Sequence, residues 1–154
     1  MVIKPAIYHY KKNQKKAYVL MIILTILIMI TPTKLFMSVK SFQPIDKEDL
    51  YKIIALNHSN PGLVKAIITV ESNWNQKAIS SKGAIGLMQV LPESGRHYAG
   101  ISRFDLFCPE KNIIAGTKIL KYYQKTSPNL KVALSKYSGN AKGYYQKVMK
   151  NIGG

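Results

Sequence analysis

Between Asn60 and Asn75 the chain runs N-P-G-L-V-K-A-I-I-T-V-E-S-N-W-N, with apolar residues recurring at helical spacing. Asn60 can cap a helix that Pro61 begins. Val64, Ile67 and Ile68 lie seven, four and three residues before Glu71, so in an α-helix all three share its face. Burial of that face leaves a carboxylate at the end of an apolar stripe, where it is hard to ionise. Its pKa is expected to rise, and a proton can be held near neutral pH. Such a group can act as a general acid. For Glu71 taken alone, the plainer reading is a helix-terminal glutamate turned outward to water.

With 154 residues, 47% of them hydrophobic, the chain has room for one domain with a real core and too little for two sizeable ones. Helices are expected over about 45–57, 61–72, 92–98, 109–126, 129–137 and 141–151, each bounded by Pro, Asn, Ser or Gly. In the longest, Ile113, Ile114, Thr117, Leu120 and Lys121 fall on one side, which Tyr122 and Tyr123 extend. Strand signals are weak throughout, so the fold class is all-α, mostly helical.

The first forty residues have a different character. They carry Lys4, Lys11, Lys12, Lys15, Lys16, Lys34 and Lys40 and no Asp or Glu, and the run from Ala17 to Ile30 is almost wholly apolar. Fourteen residues are short for a spanning helix, which needs about 20; extension to Met37 reaches that length but takes in Pro32 and Lys34. As a signal-peptide core the length is ordinary, yet no A-x-A-like cleavage site follows. The balance favours an uncleaved signal anchor over 17–37, after a basic cytoplasmic tail over 1–16 and before a short tether over 38–45. The positive-inside rule then places the lysine-rich end in the cytoplasm and the rest across a membrane, in a periplasm-like compartment. Secretion after cleavage is the alternative.

The formal charge is +16, and removing the seven lysines of the first forty residues leaves 16 basic against 7 acidic residues, a net of +9. The lysines are scattered, with no dense stripe and no motif of a nucleic-acid-binding module, so nucleic acid is not the expected partner. An anionic polymer outside the cytoplasm fits better. Single Cys108 forms no intramolecular disulfide, and His9, His58 and His97 are too dispersed for a metal site, so neither metal nor cofactor is expected.

Four ordered motifs sharpen the reading. Glu71-Ser72 is followed by Gly83-Ala84-Ile85-Gly86-Leu87-Met88-Gln89, then by Pro109-Glu110-Lys111-Asn112-Ile113-Ile114-Ala115-Gly116, then by Ala133-Leu134-Ser135-Lys136-Tyr137-Ser138 with Tyr144-Tyr145-Gln146-Lys147-Val148 behind it. In this order and spacing the chain resembles the Slt-type lytic transglycosylase family over roughly residues 50 to 150. The resemblance implies an all-α, lysozyme-like catalytic domain over 46–154, with a sugar-binding cleft across the Glu71 helix and residues 73–86 as its lip. It also implies peptidoglycan as substrate, with the bond between N-acetylmuramic acid and N-acetylglucosamine cut without water.

In the implied mechanism Glu71 first protonates the glycosidic oxygen, then as a carboxylate takes the proton of the muramoyl C6 hydroxyl as that oxygen closes a 1,6-anhydro ring. Ser80, Gln89 and Tyr137 match polar cleft positions that contact substrate, and the Tyr137 hydroxyl would reach the Glu71 carboxyl. Read from the residues alone, Ser80 is a turn residue, Gln89 a buried amide joining two segments, and Tyr137 a packing residue. Tyr144 reads as core rather than ligand. The family's A-Y-N is here Lys136-Tyr137-Ser138, with Asn140 close by.

Other readings stay open. A lysozyme-type hydrolase would want a second carboxylate about 6.5–9.5 Å across the cleft, for which Glu93 and Asp105 are available. A non-catalytic, membrane-anchored wall-binding or assembly protein would keep the fold without turnover, and a membrane-disrupting protein would carry the domain as a passenger. Service to a secretion, conjugation or pilus assembly is analogy at the level of the fold.

Overall fold

Three side chains start helices here by accepting a backbone N–H. Asp46 takes that of Asp49 at 2.9 Å, Asn60 that of Leu63 at 3.0 Å and Asn129 that of Val132 at 3.0 Å. The computed structural model describes Lys16, residues 19–26 and residues 44–153. The chain forms two units, Met1–Phe42 and Gln43–Gly154. In the first, residues 19–26 are helical and expose Val19, Leu20, Met21, Ile22, Ile23, Leu24 and Ile26. Most of the segment read as a signal anchor, 17–37, lies outside the described residues. Among the described residues no helix is long and apolar enough to cross a membrane.

The second unit is mostly helical: α1 (Lys47–Asn57), α2 (Pro61–Ser72), a single turn α3 (Pro92–Ser94), α4 (Pro109–Lys125), α5 (Leu130–Tyr137) and α6 (Tyr144–Lys150). Helix α4 is the central element, packing against α1, α5 and the turns that precede it, while α2 packs on α1 and α6. Val64, Ile67 and Ile68 of α2 are fully buried, as the apolar period requires, together with Leu50, Ile54, Leu87, Met88, Ile113, Leu120 and Leu134. Extended structure among the described residues is limited to isolated bridges, Ile79 with Ile85 and Ile85 with Val90.

Two expected helices differ. The one expected over 92–98 is α-helical only at Pro92–Ser94 and continues as a π-turn, Gly95–Ala99, closed by Gly100 at φ 68°. The one expected from 141 begins at Tyr144, because Gly139, Asn140 and Gly143 all hold left-handed φ values of 63–74° that a helix cannot contain. A 3-10 turn at Asp105–Phe107 had no sequence signal.

The segment Ile85–Gln89 crosses the core against α4. Asn112 of α4 is fully buried, and its amide nitrogen donates to the Ile85 carbonyl at 2.8 Å and the Leu106 carbonyl at 3.0 Å. Its amide oxygen accepts the Met88 N–H at 2.9 Å. The approach demands glycine twice. A Cβ on Gly86 would lie 2.5 Å from the Asn112 amide nitrogen, and one on Gly116 would lie 2.5 Å from the Met88 sulfur.

Replacing Asn112 by alanine takes their side-chain partner from the Met88 N–H and the Leu106 carbonyl, while the Ile85 carbonyl keeps the Val90 N–H at 3.0 Å, and a loss of about 3–5 kcal/mol in unfolding free energy is expected from urea titration. A loss below about 1 kcal/mol would show that these bonds do not hold the segment.

Candidate active site

Glu71 sits in the last turn of α2, one residue before the helix ends at Ser72 and turns through Asn73 at φ 48°. Its side chain is half-buried over the apolar face that carries Val64, Ile67 and Ile68. Burial pushes its pKa above the ordinary carboxylate range, and a hydrogen bond from Tyr144 pulls the other way without prevailing. The negative end of the helix dipole acts in the same direction as burial. The site therefore holds the proton more tightly than water does.

Tyr144, at the first position of α6, donates its hydroxyl to Glu71 Oε1 at 2.6 Å. Its ring is buried, with 6% exposure, and burial together with the Glu71 charge raises its own pKa far above any working pH. It is thus a fixed donor. Tyr137 makes a different bond from the one expected: its hydroxyl donates to the Met88 carbonyl at 2.9 Å, not to Glu71. Burial, then the nearby Glu71 charge, keeps that phenol protonated too.

Ser72 has a comparable task. Its hydroxyl donates to the Leu87 carbonyl at 2.8 Å and shares the Ile68 carbonyl of its own helix at 3.2 Å. The Ile85–Gln89 segment is thus held from three helices, by Ser72 of α2, Asn112 of α4 and Tyr137 of α5. Gln89, at φ 47°, folds its amide nitrogen back onto the Gly86 carbonyl at 2.9 Å and the Ala78 carbonyl at 3.4 Å. Ser80 closes the lip, its hydroxyl oxygen accepting the Ala84 N–H at 3.0 Å.

A cavity of about 200 Å³ opens beside Glu71, lined by Val70, Glu71, Ser138, Ala141, Lys142, Tyr144 and Lys147. Ser80, Gln89 and Tyr137 are not in this lining, and neither is any carboxylate besides Glu71. Glu93 lies in a separate, larger cavity of about 560 Å³ with Ser94, Arg96, His97 and Tyr98. Asp105 is held at the surface by Lys111 and by Ser102. Among the described residues no three His, Cys, Asp or Glu side chains are grouped to hold a metal ion. Sequence reasoning missed Tyr144 as the partner of Glu71; the signal available was its place in the Tyr144-Tyr145-Gln146-Lys147-Val148 motif.

A helical domain with one raised carboxylic acid, steadied by a buried tyrosine at the mouth of a cleft, has the architecture of enzymes that act on glycosidic bonds. Residues 51–150 match the transglycosylase SLT domain, and the chain belongs to that family. It is 31% identical over 102 residues to the transglycosylase of Enterobacteria phage PRD1, covering 60% of this chain and 37% of the phage protein. It is 32% identical over 123 residues to the membrane-bound lytic murein transglycosylase C of Photorhabdus laumondii, covering 75% of this chain and 33% of that protein. The crystal structure of the 70 kDa soluble lytic transglycosylase of Escherichia coli superposes with a TM-score of 0.54 at 29% identity, over 71% of this chain and 19% of that one. The chain thus spans about a third of the two relatives and about a fifth of the solved protein.

The raised pKa fixes the sign of a stability test. A carboxyl whose folded pKa exceeds its unfolded value of about 4.3 stabilises the fold below that pH, and the contribution is lost as pH rises through the folded pKa. Glu71→Gln, which keeps the Tyr144 acceptor, should therefore melt above the unmodified protein at pH 7.5, with the gap closing near pH 4. A variant that melts lower at pH 7.5, or a gap independent of pH, would contradict the burial of Glu71.

Proposed function

We propose that this chain is a peptidoglycan lytic transglycosylase in which Glu71 is the sole acid and base. The observation that carries the reading is a single carboxyl group, raised in pKa and bonded to Tyr144, in a cavity with no second carboxylate in its lining. A water-activating mechanism would require such a second group; an intramolecular nucleophile does not.

The proton of Glu71 passes to the glycosidic oxygen between N-acetylmuramic acid and N-acetylglucosamine, breaking the C1–O bond as positive charge develops on the muramoyl ring. The carboxylate left behind accepts the proton of the muramoyl C6 hydroxyl while its oxygen bonds to C1. A 1,6-anhydro ring forms and Glu71 is protonated again. Tyr144 keeps the carboxyl oriented and stabilises its ionised form between the two transfers. Gln89 retains a free amide oxygen, and Ser80 a hydroxyl hydrogen, for sugar substituents. Tyr137 acts by fixing Met88. The apolar N-terminal segment, read as a signal anchor, would hold the domain outside the cytoplasm, where this substrate lies.

The full chain incubated with purified peptidoglycan should release muropeptides lighter by one water at the muramic acid than hydrolytic products, resolved by mass spectrometry. Glu71→Gln should lower the rate by about 10²–10⁴-fold. Reducing-end products would make the enzyme a hydrolase, and no products from a folded chain would favour a wall-binding role.

Tyr144→Phe removes the hydrogen bond that lowers the Glu71 pKa, so the basic limb of kcat/KM against pH should move to higher pH. An unmoved limb, or one shifted to lower pH, would detach Tyr144 from the titration of the acid.

A further inference from the structure

We propose that Lys142 and Lys147 form an anion-binding subsite on the Glu71 cavity and take a carboxylate carried by the muramoyl residue or its stem peptide. This rests on the transglycosylase reading and extends it from the bond cleaved to the substituents that select it.

The cavity is lined by seven residues, of which two carry ammonium groups and one a carboxyl. Burial and the Tyr144 hydroxyl account for the displaced pKa of that carboxyl, with no lysine contributing. The ion pairs among the described residues are Lys52 with Asp49 and Lys111 with Asp105, so the charges of Lys142 and Lys147 are unpaired. Two lysines thus line a cavity whose one carboxyl is raised in pKa by burial.

Both are presented by ordered backbone. Ser138 donates its hydroxyl to the Ser135 carbonyl at 3.0 Å and accepts the Ala141 N–H at 3.2 Å. Asn140 binds Ser135 twice, its N–H to the carbonyl at 2.7 Å and its side-chain oxygen to the hydroxyl at 3.1 Å. This loop carries Lys142 to the cavity. Lys147 follows Tyr144 by three residues on α6, so the two share a helix face, and Tyr144 is anchored on Glu71. The tyrosine that orients the acid therefore also fixes the helix face from which Lys147 projects.

The chemistry identifies the class of ligand. N-acetylglucosamine is neutral, whereas muramic acid bears a lactyl group whose carboxyl is either free or amide-linked to a peptide with carboxylates of its own. A pair of lysines beside the cleavage point distinguishes such a strand from a neutral chain of the same β-1,4 linkage. Each carboxylate–ammonium contact at a cleft rim is individually modest, so the pair should be worth roughly tenfold in kcat/KM.

The test compares peptidoglycan with its carboxyls intact, with carboxyls capped by methylamine, and with peptides removed so that only the lactyl carboxylate remains. The unmodified full chain should lose roughly tenfold in kcat/KM on capped substrate. Lys142→Gln/Lys147→Gln should process intact and capped substrate alike, while Lys118→Gln/Lys125→Gln, which removes the same charge elsewhere, should keep the preference. Preference retained on peptide-free strands assigns the anion to the lactyl group; preference lost there assigns it to the stem. Co-sedimentation with the same insoluble walls reads the subsite without turnover. Indifference of the unmodified chain to capping, in rate and in sedimentation, or a full preference in the Lys142/Lys147 variant, would overturn the proposal. Absence of turnover on every substrate would instead count against the transglycosylase reading, with sedimentation still deciding the subsite.

Discussion

The buried carboxamide of Asn112 is the interaction on which the rest of this domain depends. One side chain on the central helix bonds three backbone groups in an apolar core, from Ile85, Met88 and Leu106, and of these the Ile85 carbonyl alone has a second partner, the Val90 N–H. Because it comes so close, residue 86 has no room for a side chain, Met88 leaves none at residue 116, and the Gly86-Leu87-Met88-Gln89 turn is drawn flat against α4. Ser72 and Tyr137 then grip the Leu87 and Met88 carbonyls from the neighbouring helices. Since Ser72 is the next residue after Glu71, the position of the acid follows from the position of that turn.

Two opposed effects meet at Glu71, and burial prevails. A hydrogen bond from a phenol lowers a carboxyl pKa, but here it acts on a group already half removed from water at a helix C-terminus, and the net displacement is upward. A single group raised in this way, and still able to ionise against a fixed donor, suits a reaction in which a proton is given and then taken back. Lys142 and Lys147 line the same cavity without entering that balance.

The helix carrying Glu71 was fully legible. Its Asn cap, its Pro start and the spacing of Val64, Ile67 and Ile68 are all local signals, and the observed bounds match them. Asn112 was not legible, because a polar residue on the inner side of a helix declares nothing about partners 24 and 27 positions away. The exchange between Tyr137 and Tyr144 has the same origin. Each lies on a short helix following a turn, and which hydroxyl reaches the acid is decided by how α6 packs on α2 and α5 on α4. The left-handed residues at 139, 140 and 143 delayed α6, since Asn and Lys at a helix start are compatible with either outcome. Ser80 and Gln89 have polar groups committed to backbone, as their local sequence allowed, and the signal-anchor segment falls mostly outside the described residues.

The most direct measurement is a carbon-13 NMR titration of the Glu71 carboxyl in the folded protein, assigned by its loss in Glu71→Gln. The account predicts a midpoint above the ordinary glutamate value of about 4.3, rising further in Tyr144→Phe. A midpoint at or below that value would mean that Glu71 is ionised as readily as an exposed carboxylate, and the single-acid mechanism would lose its physical basis.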